Sequence, residues 1–312
     1  MMALMTTASL PWTDRSGRFS ALKAATLAAC CAPMALLCYK ALAGLLGSKP
    51  LTYAIHDTGD WAVRFLLISL LVTPLRSLGQ WPKLILVRRM LGLTALAYVL
   101  VHFALYVVEQ RYDAFKVITE IALRFYLTIG FVAVLGLVAL GATSTDGMIK
   151  RLGSVRWNRL HSLVYGIALL ALLHFFLQSK VDVTQPVLMT GFFVWLMGHR
   201  FLKKRGTAGF VALLGLAAFA GLATAGIEAG WYAARTGVMA SRVLEANLDF
   251  SFTIRPAWWV LAAGLAIAAL HLFRAGGAPA RRRKASAQEP KPEFSNASLA
   301  LQPVEETRHV RR

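Results

Sequence analysis

Apolar runs of roughly 20 residues return along most of this chain, and each is long enough to cross ~30 Å of hydrocarbon. In lipid, backbone N–H and C=O groups must be satisfied within the protein, so the runs predict helices. The expected architecture is all-α, a polytopic membrane bundle of about eight transmembrane helices. The spans fall near 21–47, 58–78, 86–109, 116–141, 158–178, 184–202, 207–230 and 256–274. Pro74 lies near the end of the second, where it should kink or stop the helix. Gly191 and Gly198 interrupt the sixth.

The 312 residues are 57% hydrophobic and only 16% charged, against about 25% charged in a soluble domain. The formal net charge of +19 suggests a nucleic-acid partner at first sight. Its positives cluster at span ends and in the tail, however, which is a topogenic pattern, so no nucleic acid is expected. Cys30, Cys31 and Cys38 all sit in the first run and form no CxxC or disulfide framework. That run continues to about Leu46, too long for the apolar region of a signal peptide, and reads as a retained helix.

Basic residues set the orientation. Arg15, Arg18 and Lys23 precede the first span. Alternate loops then hold Arg76, Lys83, Arg88 and Arg89; Lys150, Arg151, Arg156 and Arg159; and Arg200, Lys203, Lys204 and Arg205. Both termini are therefore expected in the cytoplasm. Four segments follow: a cytoplasmic start at 1–20, a main transmembrane domain at 21–205, a further helix pair with an outer loop at 206–276, and a disordered basic tail at 277–312.

His102, His161 and His174 fall within or at the edge of these spans, and ionisable residues in lipid mark functional sites by default. The third and fifth spans should run parallel. His174 follows His161 by thirteen residues, roughly 20 Å along a helix axis. His102 lies about fourteen residues beyond Arg88, at the depth of His174. Two imidazoles at one depth on neighbouring helices can clamp a haem from both faces, which suits electron transfer.

His161 falls at the level of Arg88 and Arg89, which are suited to haem propionates or another anion. A second haem there stays an open alternative. A membrane histidine also serves as an interhelical hydrogen-bond donor. A proton relay would recruit buried carboxylates, and none lies deep in the expected spans: Asp57 and Asp60 sit at a helix start, Glu109 at an end and Glu228 near a boundary. His56, His199, His271 and His309 read as interfacial or solvated.

Several segments together carry a resemblance. They are Asp57-Thr58-Gly59-Asp60-Trp61-Ala62, Thr73-Pro74-Leu75-Arg76, Arg88-Arg89-Met90-Leu91-Gly92-Leu93 and Tyr98-Val99-Leu100-Val101-His102. Thr143-Ser144-Thr145, Trp157-Asn158-Arg159-Leu160-His161-Ser162-Leu163-Val164-Tyr165 and Leu173-His174-Phe175 continue the pattern. Over roughly residues 20–205 the chain resembles the MsrQ (YedZ) family, within the wider ferric-reductase-like transmembrane group.

The resemblance implies a six-helix ferric-reductase-like core that binds heme b, with FMN also associated. It implies electrons drawn from the quinone pool and delivered to a periplasmic MsrP-like molybdenum-cofactor reductase, which repairs oxidised methionines. The candidate cofactor-binding residues are His102, His161, His174, Arg88 and Arg89, with the histidines as candidate iron ligands. In NADPH oxidases of the wider group, two histidines stand on each of two helices, whereas here Arg88 or Arg89 holds one of those places. The helix pair at 206–276 lies beyond the family pattern.

Two other functions compete with this one. A self-contained metal-ion reductase would need a flavin and nicotinamide domain, and no GxGxxG stands between a strand and a helix; a separate cytoplasmic flavin reductase would have to dock instead. A non-redox transporter or scaffold would hold no haem.

Overall fold

The computed structural model describes residues 10–13, 16–179, 182–251 and 253–276, the last two by backbone alone. The expected disordered tail at 277–312, with His309, lies outside the described residues. Eleven helices occur among the described residues. They are α1 (Ala21–Leu42), α2 (Pro50–Leu78), α3 (Ile85–Glu109), α4 (Ala114–Leu123), α5 (Phe125–Ala142), α6 (Asp146–His161), α7 (Val164–Gln178), α8 (Thr184–Lys204), α9 (Phe210–Thr236), α10 (Ala240–Ala246) and α11 (Pro256–Gly276). The chain is a polytopic helical bundle.

Among the described residues seven stretches are long and apolar enough to cross a membrane: α1, α2, α3 with its preceding turn, α5, α6–α7 taken together, α9 and α11. The sixth expected span forms a helix, α8, but it is more polar, because His199, Arg200, Lys203 and Lys204 occupy its last turns. It is nonetheless well buried, through Val187, Met189, Phe193, Trp195, Leu196 and His199.

Three boundaries differ from expectation. α2 begins at Pro50 rather than near 58, because proline is preorganised for the first turn of a helix. His56, Asp57 and Asp60 are thus inside a helix rather than in a loop or at its start. Pro74 does not stop α2, which runs on to Leu78; the Ser77 hydroxyl donates to the Pro74 carbonyl at 3.1 Å.

The expected fourth span divides at Arg124, whose backbone is extended. Glu120 holds the Arg124 guanidinium at 2.6 Å, and the Thr128 hydroxyl donates back across the break to the Ile121 carbonyl at 2.6 Å. α4 exposes Phe115, Ile118 and Leu123, as a helix lying along a membrane surface does. The fifth span likewise starts in a separate helix. Gly153, at φ +73°, interrupts α6, and His161 closes α6 rather than opening a span.

α2 is the central strut. Ala62, Phe65, Leu66, Leu70 and Val72 are buried on it, and it packs along α3 with α1, α7 and α8 around it. α5 packs on α7, and α9 on α8. Small residues bring the last helices close, as is usual where lipid removes the hydrophobic drive between helices. A Cβ on Gly198 would collide with Leu216 of α9, and one on Gly264 would stand 2.7 Å from the Ala217 Cβ.

The expected outer loop at 231–255 is partly helical and tied down. Glu228 is 1% exposed, receives Arg255 Nη1 at 3.0 Å and accepts from Asn247 Nδ2 at 3.3 Å. Trp258 Nε1 donates to the Asn247 carbonyl at 2.6 Å. A charge this deep is tolerable only with such partners.

The Tyr98 hydroxyl of α3 reaches into α1. Tyr98 donates to the Cys30 carbonyl at 2.9 Å and accepts from the Met34 N–H at 2.9 Å, beside Pro33 inside α1. The hydroxyl is inserted into the helix ladder, a common origin of a bend. Tyr98→Phe strands both backbone groups and should cost about 1–3 kcal/mol. The expected result is a lower thermal midpoint in detergent.

Candidate functional site

His102 stands two turns from the end of α3, and His174 one turn from the end of α7. Each gives its Nδ1 to a backbone carbonyl on a neighbouring helix. His102 Nδ1 lies 2.8 Å from the Ile55 carbonyl oxygen of α2, and His174 Nδ1 lies 2.8 Å from the Tyr126 carbonyl oxygen of α5. A carbonyl can only accept, so Nδ1 carries the proton in both rings and Nε2 keeps its lone pair. The two ring centroids are 6.4 Å apart and the planes cross at 83°.

A cavity of about 650 Å³ contains both rings, within the range of pockets that bury small molecules and cofactors. Val63, Leu66, Phe131, Val134 and Leu137 make its apolar walls. Thr52, His56, Asp60, Gln178, Ser179, Asp182 and Gln185 add a polar part of the lining. Arg64 links two of these groups, with Nη2 3.5 Å from Asp60 Oδ2 and 3.0 Å from Gln185 Oε1, and it lies over the Trp61 ring. Hydrogen bonds from Thr184 hold the Asp182 carboxyl below the usual range.

The other expected site residues lie outside this cavity. His161 stacks on Trp157 at 3.8 Å, and its Nε2 is 3.2 Å from the Thr143 hydroxyl. Trp157 Nε1 in turn donates to the Thr143 carbonyl. Arg89 pairs with Asp146 at 2.7 Å. Neither His161, Arg88 nor Arg89 lines the cavity.

Of the remaining histidines, His56 lines the cavity. His199 is not solvated as expected: it is 1% exposed and stacked on Trp195, because α8 turns that face into the bundle. His271 stays half-buried on α11. Sequence reasoning passed over Gly59 and Gly130, which lie against the rings of His102 and His174. No local signal marks either: Gly59 stands between Thr58 and Asp60 in a polar run, and Gly130 is one of three glycines in α5.

Two neutral imidazoles at this separation could hold one metal ion between them. Among the described residues no group of three or more His, Cys, Asp or Glu could hold a bare metal ion. The pair suits a metal whose other positions are filled by a macrocycle. Two metal–nitrogen bonds of about 2 Å and two ring half-widths of about 1.2 Å add up to roughly the separation seen.

The family model described as ferric reductase like transmembrane component matches residues 58–172. That stretch includes His102 and His161 and ends two residues before His174. The protein-methionine-sulfoxide reductase heme-binding subunit MsrQ of Xanthomonas euvesicatoria is 44% identical over 184 residues, covering 57% of this chain and 84% of the relative. The subunit of the same name from Caulobacter vibrioides is 38% identical over 181 residues, 58% of this chain and 86% of the relative. That of Rhodospirillum rubrum is 38% identical over 190 residues, 61% of this chain and 89% of the relative. No solved structure matches the chain. With paired histidines set in a ferric-reductase-like bundle and identity at this level over most of each relative's length, the chain belongs to the MsrQ family.

Proposed function

We propose that this protein is the b-type haem subunit of a methionine sulfoxide reductase system, carrying electrons across the bacterial inner membrane. The observation that carries the reading is the pair of imidazoles 6.4 Å apart, each with Nδ1 tied to a helix carbonyl. His102 and His174 would hold the haem iron through Nε2. When bound, haem supplies a one-electron iron couple, and ligands on both faces leave no open position for oxygen.

The chain's own groups do the rest. The Ile55 and Tyr126 carbonyls fix the tautomer and orientation of the rings and raise their donor strength. The apolar walls exclude water. The polar lining, with Asp60 and Gln185 held by Arg64, gives the cavity a hydrophilic side. Positive charge at Arg76–Arg89, at Lys150–Arg159 and at Arg200–Arg205 supports an orientation with both termini in the cytoplasm. The histidine pair then lies toward the periplasm. The proposed acceptor is a periplasmic MsrP-like molybdenum-cofactor reductase, and the proposed donor is the quinone pool.

FMN belongs to the opposite end. His161, Arg88 and Arg89 make up the proposed region, with guanidinium groups suited to a phosphate. Arg89 is engaged by Asp146, so Arg88 is the residue assigned to the anion. A metal-ion reductase served by a separate flavin enzyme gains no support from the relatives, whose names specify methionine sulfoxide reductase.

A reduced-minus-oxidised absorbance spectrum tests the haem assignment. His102→Ala and His174→Ala should each remove the b-type band, and His271→Ala should keep it. A normal band in His174→Ala would refute the pairing. Arg88→Glu should lower flavin content several-fold at unchanged haem content, measured by fluorescence of the released flavin.

A further inference from the structure

We infer that Gly59 and Gly130 are positioning residues for the two iron-binding histidines, each baring the one helix carbonyl that its histidine grips. The inference rests on the haem reading above and adds a device that the axial pair needs. In an α-helix each Cα–Cβ bond tilts toward the N-terminus, so the side chain at position i+4 lies over the turn that holds the carbonyl of position i. The His102 ring binds the Ile55 carbonyl, and four residues on is Gly59. The His174 ring binds the Tyr126 carbonyl, and four residues on is Gly130. The same offset recurs on two different helices, α2 and α5, for two different histidines.

The space is filled by the rings themselves. A Cβ on Gly59 would stand 3.0 Å from His102 Nδ1 and 3.1 Å from its Cε1. On Gly130 it would stand 2.7 Å from His174 Nδ1 and 2.8 Å from its Cε1. Neither ring can retreat without giving up the 2.8 Å bond at Nδ1. Other glycines in these helices do not share this arrangement. Gly92 on α3 and Gly166 on α7 have nothing within 4 Å of a built Cβ. Gly136, also on α5, faces only the flexible end of Ile167. Glycine is a poor helix former, so its place in mid-helix at 59 and 130 calls for a reason, and the imidazole contact is one.

The bond at Nδ1 has an electronic effect. Donation to a carbonyl strengthens Nε2 as a ligand, and a stronger donor stabilises ferric iron over ferrous. Displacing the ring should weaken the ligand and move the midpoint potential positive. A substitution that acts only on helix packing would not do this.

The test is a redox titration with low-spin electron paramagnetic resonance on the purified full chain. It compares wild type with Gly59→Ala, Gly130→Ala, Gly92→Ala, Gly136→Ala and Gly166→Ala. Gly130→Ala should lose haem several-fold or shift its midpoint positive with altered g values. Gly59→Ala, whose contacts are looser, should keep its haem and show the positive shift. The other three should match wild type. If Gly130→Ala does not fold, Gly59→Ala decides.

Wild-type midpoints and g values in Gly59→Ala and Gly130→Ala would overturn the inference, as would an equal shift in Gly136→Ala. That failure is separable from failure of the haem reading. Loss of the band in His102→Ala and His174→Ala beside unaffected glycine variants sinks only the inference. A wild-type chain without haem sinks both.

Discussion

Two imidazole N–H groups donated to helix carbonyls organise the interior of this protein. Each ties a helix bearing one of the paired histidines to a neighbour that bears neither: α3 to α2 through Ile55, and α7 to α5 through Tyr126. The bonds decide which ring nitrogen holds the proton, and so which one faces the cavity with a free lone pair. They also explain why the four helices come this close. A carbonyl already bonded within its own helix can accept a second donor only if the approach is clear.

The surrounding structure isolates this pair. Long apolar side chains of α2 and α5 wall the cavity, and the break at Arg124 brings the start of α5, with Tyr126, to the level of His174. Had the helix run straight through 116–141, as its apolar composition suggests, α4 would have continued into the bundle. Instead its exposed Phe115, Ile118 and Leu123 lie along the surface. A short amphipathic helix and a charged corner thus set the height at which the His174 ring is held.

Much of this was legible in the residues, and the reasons for the exceptions are physical. Hydropathy located the spanning helices, because lipid demands long apolar runs. The common depth of His102 and His174 followed from residue counts and the fixed rise of a helix. The start of α2 was missed because Thr52, His56, Asp57 and Asp60 make its first turns polar, and the cavity that Thr52, His56 and Asp60 line appears only in the fold. The split at Arg124 was missed because a single arginine inside an apolar run looks like a tolerated charge. His199 read as solvated from its basic neighbours, yet adjacent residues on a helix point 100° apart. Gly59 and Gly130 were invisible as site residues because nothing local reveals which ring will lie against a glycine.

The latch at Glu228 has a consequence for how this chain can vary. A carboxylate 1% exposed, neutralised by Arg255 and seated against Asn247, leaves a stranded ion if either partner drifts alone. Changes at these three positions must therefore come in step, and an apolar trio is the simplest escape. Descendants of this sequence should show the acid, the guanidinium and the amide inherited together or discarded together, a signature readable by counting across genomes.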